Sequence, residues 1–148
     1  MVTINILGAM EKEKLVKASI VCYLSRPDDI VEIFDNDDWN QADTLEIAKK
    51  DIALFKELIE GQASKGVFIK VGDKHLNKEI INYYQHVEFG EVARALLINS
   101  FGSRIMGNLY LQLFGGKPNE AGRVVPIKLF TKKEEAIKWL LEKLEENK

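Results

Sequence analysis

Apolar residues between Ala93 and Leu113 follow two successive patterns. The continuous apolar run Ala95–Ile98 is typical of a strand that is covered on both faces. The turn formers Asn-Ser-Phe-Gly-Ser end this run, and apolar residues then recur at helical spacing. Those predicted to face the core are Ile105, Met106, Leu109, Tyr110, Leu113 and Phe114. This order predicts a buried strand that turns sharply into helix 102–114, which is half of a β-α-β unit.

The rest of the chain continues the alternation. Leu15–Leu24 and Ile30–Phe34 have β-like patterns, and the turn Ser-Arg-Pro-Asp-Asp between them predicts an antiparallel hairpin. Further strands are predicted at Gly66–Val71 and Val124–Phe130, where Pro126 favours an edge or an end position. Three more segments have one apolar helical face; these faces are Ala48, Ile52, Phe55 and Ile59, then Ile80, Ile81 and Tyr84, then Ala136, Trp139, Leu140 and Leu144.

The predicted order is therefore β-β-α-β-α-β-α-β-α. Strands alternating with helices through short loops indicate an α/β fold, with a mixed, mostly parallel sheet that begins with the hairpin. Residues 10–148 are predicted to form a single domain, and residues 1–9 a loosely attached extension. Asp43 with Glu46, and Thr131 with Glu134, have capping-box spacing and predict two helix starts. Gly107 inside a helix indicates a close approach of that helix to the sheet.

Composition excludes several classes of function. The 148 residues carry a net charge of -2, and 17 of the 21 basic residues are lysines spread over helix exteriors, which argues against nucleic-acid binding. Cys22 is the single cysteine, so an internal disulfide is excluded, and its apolar neighbours predict a buried thiol. No apolar run approaches the roughly 20 residues that span a bilayer, and Met1–Ala9 lacks the basic leader of a signal peptide. We therefore expect a cytoplasmic protein.

Residues that could hold a metal are sparse. Asp35–Asp38 is the most acidic patch, but it lacks the glycine and the glutamate of an EF-hand, so we favour a solvated loop over a calcium site. His75 and His86 lie 11 residues apart without a neighbouring ligand set, which indicates surface roles. Glycine-rich phosphate loops and nucleophile elbows are absent from the sequence. No catalytic residue, metal or cofactor is predicted.

The run Ala-Leu-Leu-Ile-Asn-Ser-Phe-Gly-Ser-Arg-Ile-Met-Gly-Asn and the later run Pro-Ile-Lys-Leu-Phe-Thr-Lys-Lys-Glu-Glu-Ala-Ile-Lys-Trp-Leu carry a family resemblance. They resemble a mostly uncharacterised group of small bacterial proteins with a STAS-like (SpoIIAA-like) fold, common in Bacteroidetes. The resemblance is specific from about Ala93 to Leu141 and topological from Leu15 to Phe89. The residues on the pattern are Ser100, Ser103, Arg104, Gly107, Asn108, Lys117, Pro118, Leu129, Phe130, Thr131, Ala136, Trp139 and Leu140.

The resemblance implies a fold and a mode of action by binding, without an established activity. Phe101 stands where the group usually has proline. Phosphorylatable STAS proteins carry an Asp-Ser pair at the second helix, whereas residues 71–79 contain no serine, which argues against a phosphoserine switch there.

Ser100, Gly102, Ser103 and Arg104 are the candidate binding residues. They lie where a strand's carboxyl end meets a helix N-terminus, a place that favours anions, and Arg104 suits phosphate or carboxylate. The alternative is structural: a serine caps the helix, and Arg104 pairs with a surface acid.

Three functional hypotheses follow and two are kept, because the third, an enzyme, needs a cleft with strongly perturbed acids that the sequence does not reveal. The favoured one is a non-enzymatic STAS-like module that binds an unidentified protein partner. The alternative is a domain that binds a small anionic or apolar ligand, or a lipid, at the helix 102 edge or in a cavity behind helix 102–114. Both hypotheses are compatible with a homodimer.

Overall fold

The computed structural model describes residues 13–59, 65–73 and 78–148. These ranges contain six strands and four helices. The strands are β1 (Lys14–Lys17), β2 (Val21–Ser25), β3 (Ile30–Asp35), β4 (Gly66–Lys70), β5 (Ala93–Leu97) and β6 (Ile127–Phe130). The helices are α1 (Leu45–Ile59), α2 (Lys78–His86), α3 (Phe101–Phe114) and α4 (Lys133–Glu146). Residues 1–9, predicted to be an extension, and His75 lie outside the described ranges.

All six strands form one sheet in which spatial order equals chain order. The pairs β1–β2 and β2–β3 are antiparallel, and the pairs from β3 to β6 are parallel. The predicted mixed α/β fold, with an antiparallel start and a mostly parallel sheet, is therefore confirmed. Pro126 directly precedes the edge strand β6, where its missing N–H costs no ladder bond. The strand predicted at 124–130 covers only the last four of those residues.

The prediction of one strand over Leu15–Leu24 is wrong. The chain reverses at residues 18–20, which separates β1 from β2. The cause is Asp51 of α1, which is completely buried and accepts the N–H of Ser19 at 2.9 Å and the N–H of Ile20 at 2.8 Å. A carboxylate more than 30 residues away thus supplies the acceptors that this turn needs.

Three helices cover one face of the sheet, and α4 covers the other. On β3, Val31 packs with Phe55 of α1, whereas its neighbour Ile30 packs with Leu140 of α4. Val67 and Phe68 of β4 divide between the two faces in the same way. This alternation is the period of two that a strand buried on both faces must show. Cys22 is buried as predicted, and burial raises the pKa of its thiol.

Both predicted capping boxes are wrong. The side chain of Thr44 accepts the N–H of Ile47 at 3.2 Å at the start of α1, while Asp43 accepts the indole N–H of Trp39 at 2.9 Å. Helix α4 follows Lys132, whose side chain makes no capping hydrogen bond. In each case the helix begins one residue later than the sequence spacing predicted.

Helix α3 lies close to the sheet at Gly107, as predicted. A Cβ on Gly107 would lie 2.7 Å from Cγ2 of Ile98 and 3.4 Å from Leu129. The prediction that Ile105 faces the core is wrong, since this side chain is 54% exposed. The side chains of Leu113 and Phe114 lie outside those that the structure describes.

Replacing Asp51 with alanine should lower the free energy of unfolding by about 2–4 kcal/mol, because the buried N–H of Ile20 and the half-buried N–H of Ser19 lose their acceptors. Glu57→Ala, at an exposed position of the same helix, should change it by less than about 0.5 kcal/mol. Urea unfolding followed by circular dichroism measures both. Equal values for the two variants would contradict the role given to Asp51.

Gly107→Ala should destabilise the protein by about 1–2 kcal/mol, although alanine favours a helix by roughly 1 kcal/mol over glycine. The added methyl group meets the Cγ2 methyl group of Ile98, and the β-branched side chain of Ile98 has little freedom at χ1 to avoid it. Asn108→Ala, exposed on the same helix, should be neutral or slightly stabilising. A Gly107→Ala protein more stable than the parent would show that the helix shifts outward at no cost.

Candidate functional site

The carboxyl ends of the parallel strands meet at one edge of the sheet. Lys70 of β4 pairs with Leu97 of β5, so the segments that follow these strands leave the sheet at the same level. The N–H of Val71 donates to the carbonyl of Leu97 at 3.0 Å, which extends this alignment by one residue. As a result Asp73, after β4, lies beside Ser100, after β5. This is the edge where ligands bind in open α/β sheets.

Ser100 and Ser103 form a reciprocal cap on α3. The Ser100 hydroxyl accepts the N–H of Ser103 at 3.1 Å, and the Ser103 hydroxyl accepts the N–H of Ser100 at 2.9 Å and that of Asn99 at 3.0 Å. Ser103 is 1% exposed. The geometry therefore supports the structural alternative for these two residues, in which they cap the helix.

The carboxylate of Asp73 lies over the first turn of α3. Its Oδ1 accepts the Ser100 hydroxyl at 2.5 Å, and a Cβ on Gly102 would be only 2.7 Å from the same oxygen. Glycine at position 102 thus leaves the space that this carboxylate occupies. A helix N-terminus favours negative charge, and here the chain's own aspartate supplies it.

Arg104 belongs to an exposed stripe on α3. Phe101 is 81% exposed, Ile105 is 54% exposed, and Arg104 is exposed between them. Spacings of three and four residues place these side chains on one side of a helix. Within residues 13–59, 65–73 and 78–148, no acid forms an ion pair with Arg104, so the predicted surface pair is not seen. We call Phe101, Arg104 and Ile105 the α3 stripe.

An internal cavity lies beneath α1, α2 and α3. Its volume is about 140 Å³, and most of its lining is apolar. Val67 and Ile69 of β4 and Leu96 of β5 form its floor, while Met106 and Tyr110 contribute from α3. At the carboxyl edge the cavity reaches Asp35 and Lys70, both of which are exposed.

Arg94, the second residue of the buried strand β5, lines the same cavity and is 2% exposed. Its Nε donates to Oε2 of Glu91 at 2.8 Å, and its Nη1 donates to the hydroxyl of Tyr110 at 2.8 Å. Nη1 also lies 3.3 Å from the carbonyl of Tyr84 and from Oε1 of Gln85. One guanidinium therefore joins β5 to both α2 and α3.

The ion pair of Arg94 and Glu91 continues to the surface. Glu91 is completely buried, and its Oε1 accepts Nη2 of Arg123 at 3.0 Å. Arg123 also binds both carboxylate oxygens of Glu88, at 2.8 and 2.7 Å. The hydrogen bond from Arg123 lowers the pKa of Glu88 to about 2. Two arginines and two glutamates thus form a network without net charge.

The sequence prediction missed Arg94 and Phe101. A charged residue inside the apolar run 92–98 is a usable signal, because a charge on a strand buried on both faces requires a nearby partner, and Glu91 is three residues away. Phe101 carries no such signal. Its exposure depends on how α3 is rotated above the sheet.

The remaining candidates give no site. Within the described residues there is no group of three or more His, Cys, Asp or Glu side chains that could hold a metal ion. Asp38 of the acidic loop forms an exposed ion pair with Lys17 at 2.6 Å. In the same part of the chain, none of the helices has the length and apolar character needed to cross a membrane.

A family model described as "Domain of unknown function (DUF7793)" matches residues 39–143. The chain belongs to this family. No curated protein and no solved structure matches the sequence. The DUF7793 region begins after β3 and includes Asp73, Arg94, the α3 stripe and the network of Glu88 and Arg123. Strands β2 and β3, which complete one side of the cavity, precede the matched DUF7793 region.

The ion pair of Glu88 and Arg123 predicts that the free energy of unfolding depends on pH. Because the pKa of Glu88 falls from its usual 4.5 to about 2 on folding, its contribution is complete above pH 4.5 and is lost as the pH falls from 4.5 towards 2. Glu88→Gln should therefore cost roughly 1–3 kcal/mol at pH 7 and much less near pH 2.5. Urea unfolding of both proteins at the two pH values measures the difference.

Glu57→Gln, at an exposed position, serves as the control and should leave the free energy of unfolding unchanged at both pH values. A cost of Glu88→Gln that stays constant between pH 7 and pH 2.5 would contradict the role of the Arg123 contact.

Proposed function

We propose that this chain is a non-catalytic, STAS-like module that binds another protein through the α3 stripe. The observation that carries the proposal is the exposure of Phe101, at 81%, and of Ile105, at 54%, on one side of the same helix. A single exposed apolar residue is ordinary on a protein surface, whereas an aromatic, an arginine and an aliphatic residue on one side of a helix are the chemistry of an interface centre.

The chemistry of the stripe defines the partner. Phe101 and Ile105 suit an apolar pocket, and Arg104, which has no acid beside it in the described ranges, suits a carboxylate at the rim of that pocket. The partner is therefore a protein with an apolar groove bordered by aspartate or glutamate. Ser100, Ser103 and Gly102 act indirectly, since they fix the first turn from which Phe101 and Arg104 project.

The position of Asp73 favours this function over a small anionic ligand at the same edge. An incoming phosphate or carboxylate would have to displace Asp73 from Ser100 or be repelled by its charge. Recognition of a protein through side chains on the outer side of α3 requires no such displacement. The STAS-like character rests on the resemblance within residues 93–141, and a cytoplasmic location remains an expectation from the sequence.

The parent protein and its variants are used as baits in lysate of the source cells to capture the partner. Phe101→Ala and Arg104→Glu should each weaken binding of that partner at least about tenfold, because interface centres lose affinity when an aromatic or arginine is removed. A protein recovered by the parent is then purified and titrated against each variant.

Two variants of α1 provide matched controls. Leu54 is 40% exposed and Lys56 is exposed, so Leu54→Ala and Lys56→Glu remove an exposed apolar side chain and reverse an exposed charge elsewhere. Both should retain the partner with unchanged affinity. A partner held equally by the α3 variants would contradict the proposed surface. Sedimentation of the parent and of Phe101→Ala shows whether the partner is a second copy of the chain.

A further inference from the structure

The outer edge of β1 carries backbone hydrogen-bonding groups that point away from the sheet. Among the described residues, β1 is the first strand of the sheet and pairs with β2 alone. The N–H of Ala18 donates to the carbonyl of Val21 at 3.0 Å, which fixes the phase of the ladder. Because inward and outward groups alternate along an antiparallel strand, Val16 bonds to β2, whereas the N–H and carbonyl groups of Leu15 and Lys17 point outward. This edge can therefore accept another strand.

The side chains of β1 follow the same period of two. Val16 packs against the buried cluster beneath α1. Leu15 lies on the opposite face, is 55% exposed, and pairs across the ladder with the half-buried Leu24 of β2. Glu13 and Lys17, two residues before and after Leu15, are exposed and share its face. An exposed apolar residue thus lies midway between a negative and a positive charge.

This pattern is complementary to a second copy of itself. When two β1 strands pair antiparallel about a two-fold axis at Leu15, the two leucines lie opposite each other, and Glu13 of each copy lies opposite Lys17 of the other. All three pairs join residues whose backbone groups point outward, so the hydrogen bonds and the charges favour the same register. Lys17 already contacts Asp38 at 2.6 Å, and the three N–H donors of its ammonium can bind both carboxylates.

Other registers lack this agreement. A two-fold axis at Lys14 or at Lys17 puts two lysines directly opposite each other, which is destabilising. An axis at Val16 puts Lys17 opposite Leu15, so that neither end of the contact pairs unlike charges. A shift by a single residue would oppose outward-pointing backbone groups to inward-pointing ones. Lysines on edge strands commonly prevent association, and here they exclude the wrong registers while Glu13 favours one.

We propose that two copies of this chain associate through their β1 edges, with Leu15 on the two-fold axis and Glu13 of each copy paired with Lys17 of the other. The two six-stranded sheets then continue as one. The contact is short, because β1 has 4 residues, so association is weak and depends on concentration. It is separate from the α3 stripe, since α3 connects β5 to β6 at the other end of the sheet.

Sedimentation equilibrium of the full chain, from about 10 μM to about 1 mM, measures the association. The average mass of the parent should rise towards that of a dimer. Glu13→Lys puts a positive charge opposite Lys17 of the second copy at both ends of the contact, and it should weaken the dimer at least about fivefold. The double variant Glu13→Lys/Lys17→Glu exchanges the charges and should restore the parent's affinity to within about twofold.

Glu57→Lys makes the same charge change at an exposed position of α1 and should leave the affinity unchanged. Phe101→Ala, in the α3 stripe, should also leave it unchanged, which distinguishes this contact from the one under the proposed function.

A cysteine cross-link locates the axis. Directly opposed residues of a hydrogen-bonded antiparallel pair have Cα atoms about 5.5 Å apart, within the range of a disulfide. Under mild oxidation, Leu15→Cys should form a linked dimer at least about tenfold faster than Leu54→Cys, which replaces another exposed leucine, on α1. The native Cys22 is 3% exposed and should not react in the parent.

Several results would overturn the proposal. A parent that stays a monomer at every concentration would mean that no second copy covers the edge. A dimer that Glu13→Lys leaves intact, or that the double variant does not restore, would contradict the register. Loss of the dimer in Phe101→Ala but not in Glu13→Lys would place the contact on the α3 stripe. Equal cross-linking rates of Leu15→Cys and Leu54→Cys would contradict an axis at Leu15.

Discussion

The buried ion pair of Arg94 and Glu91 is the interaction on which the arrangement of the helices depends. Such a pair adds little net stability compared with an apolar replacement, but removing one member leaves an uncompensated charge. The Arg94 guanidinium must also find acceptors for its remaining N–H groups. Nη1 finds them only while α2 supplies Tyr84 and Gln85 and α3 supplies Tyr110. The relative positions of β5, α2 and α3 are therefore coupled through one side chain, and Arg123 extends the coupling to the segment before β6.

Helix α3 lies between the internal cavity and the α3 stripe. Its inner side borders the internal cavity, its outer side carries the α3 stripe, and its first turn is fixed by Ser100, Ser103 and Asp73. Gly107 sets how closely the helix approaches the sheet. The side of α3 that packs over the cavity is therefore separate from the side that carries the α3 stripe.

The order of strands and helices could be predicted because apolar periodicity is a local property of the sequence. The predictions from sequence fail where contacts with residues far along the chain determine the local structure. Asp51 creates the turn at residues 18–20 from α1, and no residue of that turn indicates it. The helical period identified the apolar residues of α3, but the rotation of the helix, which exposes Ile105, depends on contacts with the sheet. Ser100 and Ser103 do lie at the strand-to-helix turn that the sequence predicts, whereas Asp73 comes from a different loop.

The identity of spatial and chain order in the sheet has a consequence for folding during synthesis. Each strand pairs with the one made before it, so the sheet can grow from β1 to β6 while the chain leaves the ribosome. The face covered by α1, α2 and α3 is closed as each crossover is completed. The opposite face, with Ile30, Phe68 and Ala95, stays open to solvent until α4 emerges. The nascent chain therefore presents an apolar sheet surface to solvent until α4 is made.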